Sequence, residues 1–112
     1  MRLRFDTDLL DPEDPFELDM GNIPHLFKHG YTPDDAYDVY YGLPLYYEGD
    51  EDDPADWLMT GLVPGDILTV PLASPNSGDP RKARPIAIFR TGRLDAAKYS
   101  SDLEGGDGGD AP

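Results

Sequence analysis

The chain has 112 residues, of which 23 are acidic and nine basic, giving a net charge of -14, and it contains no cysteine and only two histidines. A chain of this length makes one domain that buries roughly 60–70% of its unfolded surface; the absence of cysteine excludes a disulfide framework and a thiolate metal site, and two histidines leave little for a metal. No apolar run approaches the roughly 20 residues of a membrane helix, and the opening Met-Arg-Leu-Arg-Phe-Asp lacks the apolar region of a signal peptide, so the composition predicts a soluble, cytoplasmic protein with no membrane contact.

In chain order, residues 2–5 alternate polar and apolar and predict a short strand, and the prolines and acids of residues 11–15 predict a loop. Asn22 is placed to cap a short helix with Pro24 in its first turn, and Ile23, Leu26 and Phe27 fall on one helical face. Lys28 and His29 lie in the last turn, where positive charge suits the helix dipole, and Gly30 supplies a left-handed exit. A second helix starts at Thr32 as cap, with Pro33 in the first position and Asp34 and Asp35 in the first turn. Its buried stripe is Ala36, Val39 and Tyr40, and Gly42 with Pro44 ends it. Tyr37, Tyr40, Tyr41, Tyr46 and Tyr47 read as half-buried core beside that stripe.

Residues 48–54 form a polar loop with four consecutive acids, Asp50 to Asp53, without the ligand spacing of a calcium loop. Residues 57–63 and 67–72 are apolar, β-favouring runs separated by Pro64-Gly65-Asp66, which predicts a hairpin. Residues 84–90 predict a third strand with Arg84, Ile86, Ile88 and Arg90 on one face and Pro85, Ala87 and Phe89 on the other. Pro85 belongs at the strand start or on an edge, because it cannot donate to a ladder. Residues 93–103 predict a closing helix with Leu94, Ala97 and Lys98 on one face. Residues 104–112 are an acidic, Gly-rich tail expected to be disordered. The fold class is α+β: two N-terminal helices, an antiparallel three- to four-stranded sheet and a C-terminal helix, in one domain spanning 1–103.

The charge is unevenly spread. Residues 81–98 hold Arg81, Lys82, Arg84, Arg90, Arg93 and Lys98 against Asp95, a local balance of +5, while the rest of the chain stands at -19. Such a split is either an ordinary helix and strand within an acidic surface or a localised phosphate site in a protein whose other faces repel phosphates.

Several stretches, in order, resemble the BrnT family of small ribonuclease toxins. Asp19 with Asn22 is similar to the family's residues before its first helix, Lys28-His29-Gly30 to its turn, and Asp34-Asp35-Ala36 to the start of its second helix. Trp57, Gly61, Gly65 and Leu68-Thr69-Val70 resemble its central hairpin, Arg84 to Arg90 its last strand, and Tyr99 falls where its closing helix carries an aromatic. Phe89 departs from the family's Ala before the strand-end arginine, Asp95 stands at a shifted spacing for its helical acid, and residues 6–16 resemble an insertion. The resemblance covers roughly residues 17–103 and implies a RelE-like fold, a metal-independent ribonuclease of a type II toxin–antitoxin system, RNA as substrate, a cognate antitoxin protein as partner, and no cofactor.

Metal-independent RNA cleavage needs the 2'-hydroxyl deprotonated, phosphorane charge stabilised and the leaving oxygen protonated. Arginines suit the second task through bidentate, permanently charged contacts. Arg90, Arg84 and Arg93, with Lys98, are the candidate clamp, Arg90 first among them; its competing reading is a strand-end arginine paired with a nearby carboxylate. Tyr99 and Asp95 are the general acid/base candidates. His25 and His29 have a suitable intrinsic pKa but stand four apart near a turn, and without a third ligand they make no metal site. The rival reading is a noncatalytic acidic interaction protein, a nucleic-acid mimic or a degenerate toxin-fold adaptor, that binds a basic partner through acids such as Asp6, Asp8, Asp11, Glu13, Asp14, Glu17 and Asp19. The sequence leaves enzymatic activity, RNA specificity and oligomeric state open.

Overall fold

The structure is a computed structural model that describes residues 4–42 and 44–105. The fold class is α+β: an open antiparallel sheet with helices on both faces. After a 3-10 turn at Thr7–Leu9 come α1 (Ile23–Leu26), a 3-10 turn (Phe27–His29) and α2 (Pro33–Tyr41). The strands follow: β1 (Leu45–Glu48), β2 (Trp57–Val63), β3 (Asp66–Ala73), β4 (Arg84–Pro85) and β5 (Phe89–Arg90), and the chain closes with α3 (Arg93–Gly105). The sheet order is β1-β2-β3-β4, with β5 also pairing β3.

The central hairpin forms where the sequence places it. Pro64 and Gly65 make the two-residue turn, Gly65 at φ 86°, a left-handed value that a side chain rarely adopts. Val63 then pairs with Asp66, and the ladder runs back to Trp57 opposite Leu72. Alternation puts Met59, Leu68, Val70 and Leu72 on one face, all buried with Ala36 and Val39 of α2 and with Leu26. Burying one such side chain contributes about 1.5–3 kcal/mol. Close approach of α2 to this face depends on Gly61, where an added Cβ would stand 3.0 Å from the Val39 carbonyl oxygen and 3.1 Å from Val39 Cγ1.

Helix α2 also starts as expected: the Asp35 carboxylate accepts a hydrogen bond from the Thr32 N–H at 2.7 Å, closing the first turn. Gly30 exits the preceding 3-10 turn at φ 87°. Around α1 the expectations change. Asn22 makes no side-chain cap; its side chain is buried, accepts from the Asp19 N–H at 2.8 Å and donates to the Glu17 and Pro85 carbonyls at 2.9 Å each. Only Leu26 of the expected apolar face is buried, while Phe27 is half exposed, because a single helical turn followed by a 3-10 turn is too short to present a stripe.

The extra strand is β1, from the tyrosine-rich stretch after α2. Arg4 and Phe5 are irregular, and the rest of the strand expected at residues 2–5 lies outside the described residues. The third strand is broken. Between Leu72↔Pro85 and Thr69↔Phe89 the partner strand advances three residues and this one four. One extra residue makes a bulge and inverts the alternation beyond it. Pro85 and Ile88 are therefore both buried, and Arg84 and Arg90 stand on opposite sides of the sheet rather than sharing a face.

Helix α3 runs through Glu104 and Gly105, beyond the expected end at Leu103, and the remaining tail residues, 106–112, lie outside the described residues. Its inward face also differs: Leu94 is 87% exposed and Ala97 exposed, whereas Tyr99 is fully buried. The bulkiest apolar group sets the docking face, and the shorter stripe gives way.

Gly61→Val forces a branched side chain against the Val39 backbone and lowers the free energy of unfolding by about 1–3 kcal/mol; urea denaturation of the variant against the native chain measures it.

Candidate functional site

The basic segment is closed by internal ion pairs through most of its length. Arg81 meets Asp79 at 3.2 Å, and Lys82 meets Asp14 at 2.7 Å. Arg84 donates from Nη1 and Nη2 to the two oxygens of Asp19, at 2.7 and 2.9 Å, and from Nη1 to Glu17 at 3.2 Å. Arg90 places Nε within 2.9 and 3.1 Å of the two Asp66 oxygens at the hairpin. The N-terminal acids and the basic segment meet because residues 15–17 run beside β4: Phe16 bridges Ala83, the Ala83 N–H donates to the Pro15 carbonyl, and the Glu17 N–H to the Ala83 carbonyl, both at 2.8 Å.

These contacts tune the acids. The Arg84 guanidinium, followed by the Gly21 N–H, holds the Asp19 carboxyl down at about 2, from an ordinary 3.8. Burial pushes Glu17 up, but the N–H groups of Asn76 and Ser77 and the Arg84 guanidinium outweigh it and leave the group below its ordinary value. Glu17 thereby ties the loop at residues 76–77 to the N-terminal segment, through bonds of 2.7 and 3.0 Å.

The other sheet face forms a cleft under α3. Leu58, Thr60, Thr69 and Phe89 supply its strand side, Tyr47 one end, and Asp95 and Lys98 of α3 its cover, around about 160 Å³. Beneath runs a row of buried hydroxyls: Thr60 Oγ1 lies 3.1 Å from Thr69 Oγ1, which lies 2.8 Å from Thr91 Oγ1. Tyr47 donates to Asp102 at 2.9 Å, and the Lys98 ammonium sits 4.9 Å from the Tyr47 ring centroid, a cation–π contact. Burial, then the Asp102 carboxylate, raise the Tyr47 hydroxyl well above its ordinary value.

Of the six residues singled out in sequence, Asp95 and Lys98 meet in this cleft and the other four are dispersed. Asp95 lines this cleft; Arg90 lies at a separate, open depression shared with Leu62, Ile67, Thr91 and Ala96. Arg84 is held at the opposite end of the broken strand. Arg93 is exposed and forms no ion pair among the described residues. Tyr99 is fully buried, its hydroxyl is raised by that burial, and it meets the backbone at Leu62. With the helix in this position, it has no surface that a substrate could touch. His25 and His29 are both exposed, and among the described residues no group of three histidines or acids is arranged to hold a metal ion.

The cleft residues Tyr47, Thr60, Thr69 and Phe89 were absent from the sequence candidates. Threonines in register on neighbouring strands were the available signal, and it becomes visible only once the pairing of β2, β3 and β5 is known. No helix among the described residues is long and apolar enough to cross a membrane. No protein-family model matches the chain, and no curated protein and no solved structure shows significant similarity to it.

Asp19 titrates lower in the folded than in the unfolded chain, so its stabilising contribution is present above the ordinary carboxyl value and is lost as pH falls through about 2. Asp19→Asn therefore lowers the thermal midpoint at neutral pH, and the gap to the native chain narrows as pH drops from 4 toward 2. Thermal melts across that range measure both effects; a gap independent of pH contradicts the assignment.

Proposed function

We propose that this chain is a noncatalytic, acidic interaction domain that binds a basic protein partner, built on a BrnT-like, RelE-related arrangement of helices and sheet. One observation carries the reading: Arg81, Lys82, Arg84 and Arg90 are each engaged by carboxylates of the same chain. Meanwhile Asp34, Asp38, Asp50, Glu51 and Asp52 have no ion-pair partner among the described residues. A phosphate clamp would need those guanidiniums released from their carboxylates, and the net charge of -14 opposes a polyanion's approach. A cationic protein surface meets the same field with the opposite sign, which speeds encounter and fixes orientation. Within the toxin-fold resemblance, such a partner corresponds to an antitoxin, and the chain to an adaptor.

One observation favours the second reading, a metal-independent endoribonuclease: the cleft under α3 brings Asp95 and Lys98 over aromatic and hydroxyl groups. Proton transfer and phosphate stabilisation would then fall to these two residues, Arg90 lying in a separate depression.

Two measurements separate the readings. A labelled lysine-rich peptide should bind the folded protein, weaken with added salt, and bind Arg90→Ala equally well. A mixed-sequence RNA incubated with the protein in excess EDTA should remain intact. Cleavage by the native chain that is lost in a folded Lys98→Ala variant reverses the order of the two readings.

A further inference from the structure

The sheet has two edges, and they are treated differently. At the β4 edge, residues 15–17 lie alongside and exchange backbone hydrogen bonds with Ala83, Pro85 removes a donor, and the bulge breaks the line. These features block strand addition. Among the described residues, β1 at the other edge pairs with β2 alone. Its four residues, Leu45–Glu48, include neither a proline nor a bulge, and Tyr46 and Tyr47 favour strands.

The pairing decides which groups are left over. The two-residue turn makes Val63↔Asp66 a hydrogen-bonded pair, so by alternation Leu58 and Thr60 direct their backbone groups to β1, where they face Tyr47 and Leu45. The Gly49 N–H donating to Asp56 at 3.0 Å continues the same phase. Tyr46 and Glu48 must then point their N–H and C=O groups away from the sheet. No hydrogen bond to either backbone from another segment occurs among the described residues.

The charge around this edge identifies the occupant. Glu48 is followed by Asp50, Glu51 and Asp52, all exposed. Asp102 is bonded to the Tyr47 hydroxyl on one face, and Asp8 is near enough to Tyr46 on the other to act on its hydroxyl. Against these stand Arg4, engaged with Glu48 and the Gly49 carbonyl, and Lys98 over the Tyr47 ring. A second copy of this chain would bring its own acids to the same edge and be repelled. A segment carrying lysine or arginine would be attracted.

We propose that β1 is a docking edge for an extended, basic segment of a partner protein, which adds a strand to the sheet through the outward backbone groups of Tyr46 and Glu48. The edge supplies backbone hydrogen bonds, and the surrounding carboxylates select the charge. This inference rests on the acidic-partner reading and adds where the partner binds and in what conformation.

The test uses the full chain labelled with 15N and a peptide of alternating lysine and valine, in three forms: unmodified, and N-methylated on one or the other alternate set of amides. Binding of the unmodified peptide should slow hydrogen exchange at the amides of Tyr46 and Glu48. One methylated form, whose blocked amides face β1, should bind about tenfold or more weakly, the loss expected for two or so backbone hydrogen bonds, while the other binds like the parent. If both methylated forms bind like the parent and exchange at Tyr46 and Glu48 is unchanged, the edge proposal is overturned and the acidic-partner reading survives. If the unmodified peptide does not bind at low salt, both fail. If those amides become protected without peptide as protein concentration rises, the occupant is a second copy, and the proposed partner is wrong.

Discussion

The attachment of residues 15–22 to the β4 edge organises both the fold and its charge. Asn22, buried and bonded to three backbone groups, links this segment to the Pro85 carbonyl. Arg84 closes the same junction onto Glu17 and Asp19. A buried amide whose hydrogen-bonding groups are left unmade is costly, so each side of this junction holds the other in place. Phe16 and Leu26 then reach the core that α2 and the central hairpin complete.

The junction also determines where the protein's field is strong. Asp14, Glu17 and Asp19 of the N-terminal segment meet Lys82 and Arg84, and these charges are satisfied locally. Among the described residues, acids without an ion pair lie on the outer side of α2 and in the loop after β1, and also at Asp6, Asp8, Asp11 and Glu13 of the N-terminal segment. The loop after β1 thus carries acids with no cation beside them, while the other edge holds cations already paired with carboxylates and is covered by its own chain. Strand edges are normally blunted by charge, proline or irregularity. Here all three coincide at β4 and β5, and only charge and shortness protect β1.

The second face of the sheet follows a different logic. Its centre is a row of threonine hydroxyls that bond to each other, and α3 docks over it mainly by one buried tyrosine. A helix held in this way leaves space beside its anchor, which is the cleft lined by Asp95 and Lys98. The acid and base of this cleft are adjacent on one helix face because they are three residues apart, independently of the strands beneath.

By itself the sequence determined the elements whose signals are local. Thr32-Pro33 with Asp35 starts a helix through backbone chemistry within four residues, Gly30 and Pro64-Gly65 impose turns through their allowed dihedral angles, and the two apolar runs beside that turn must pair. The α+β order follows from these. Tertiary structure decided everything that depends on partners distant in the chain: that Tyr46 and Tyr47 form an edge strand, that Asn22 holds a buried junction instead of capping a helix, and that Tyr99 rather than Leu94 turns inward. It also decided the fate of the arginines. A period of two places Arg84 and Arg90 on one face, but a single extra residue between them reverses that relation, and the carboxylates that hold them come from positions 17, 19 and 66. No local pattern encodes a bulge whose cause lies in the opposing strand, nor an ion pair between residues brought together only by folding.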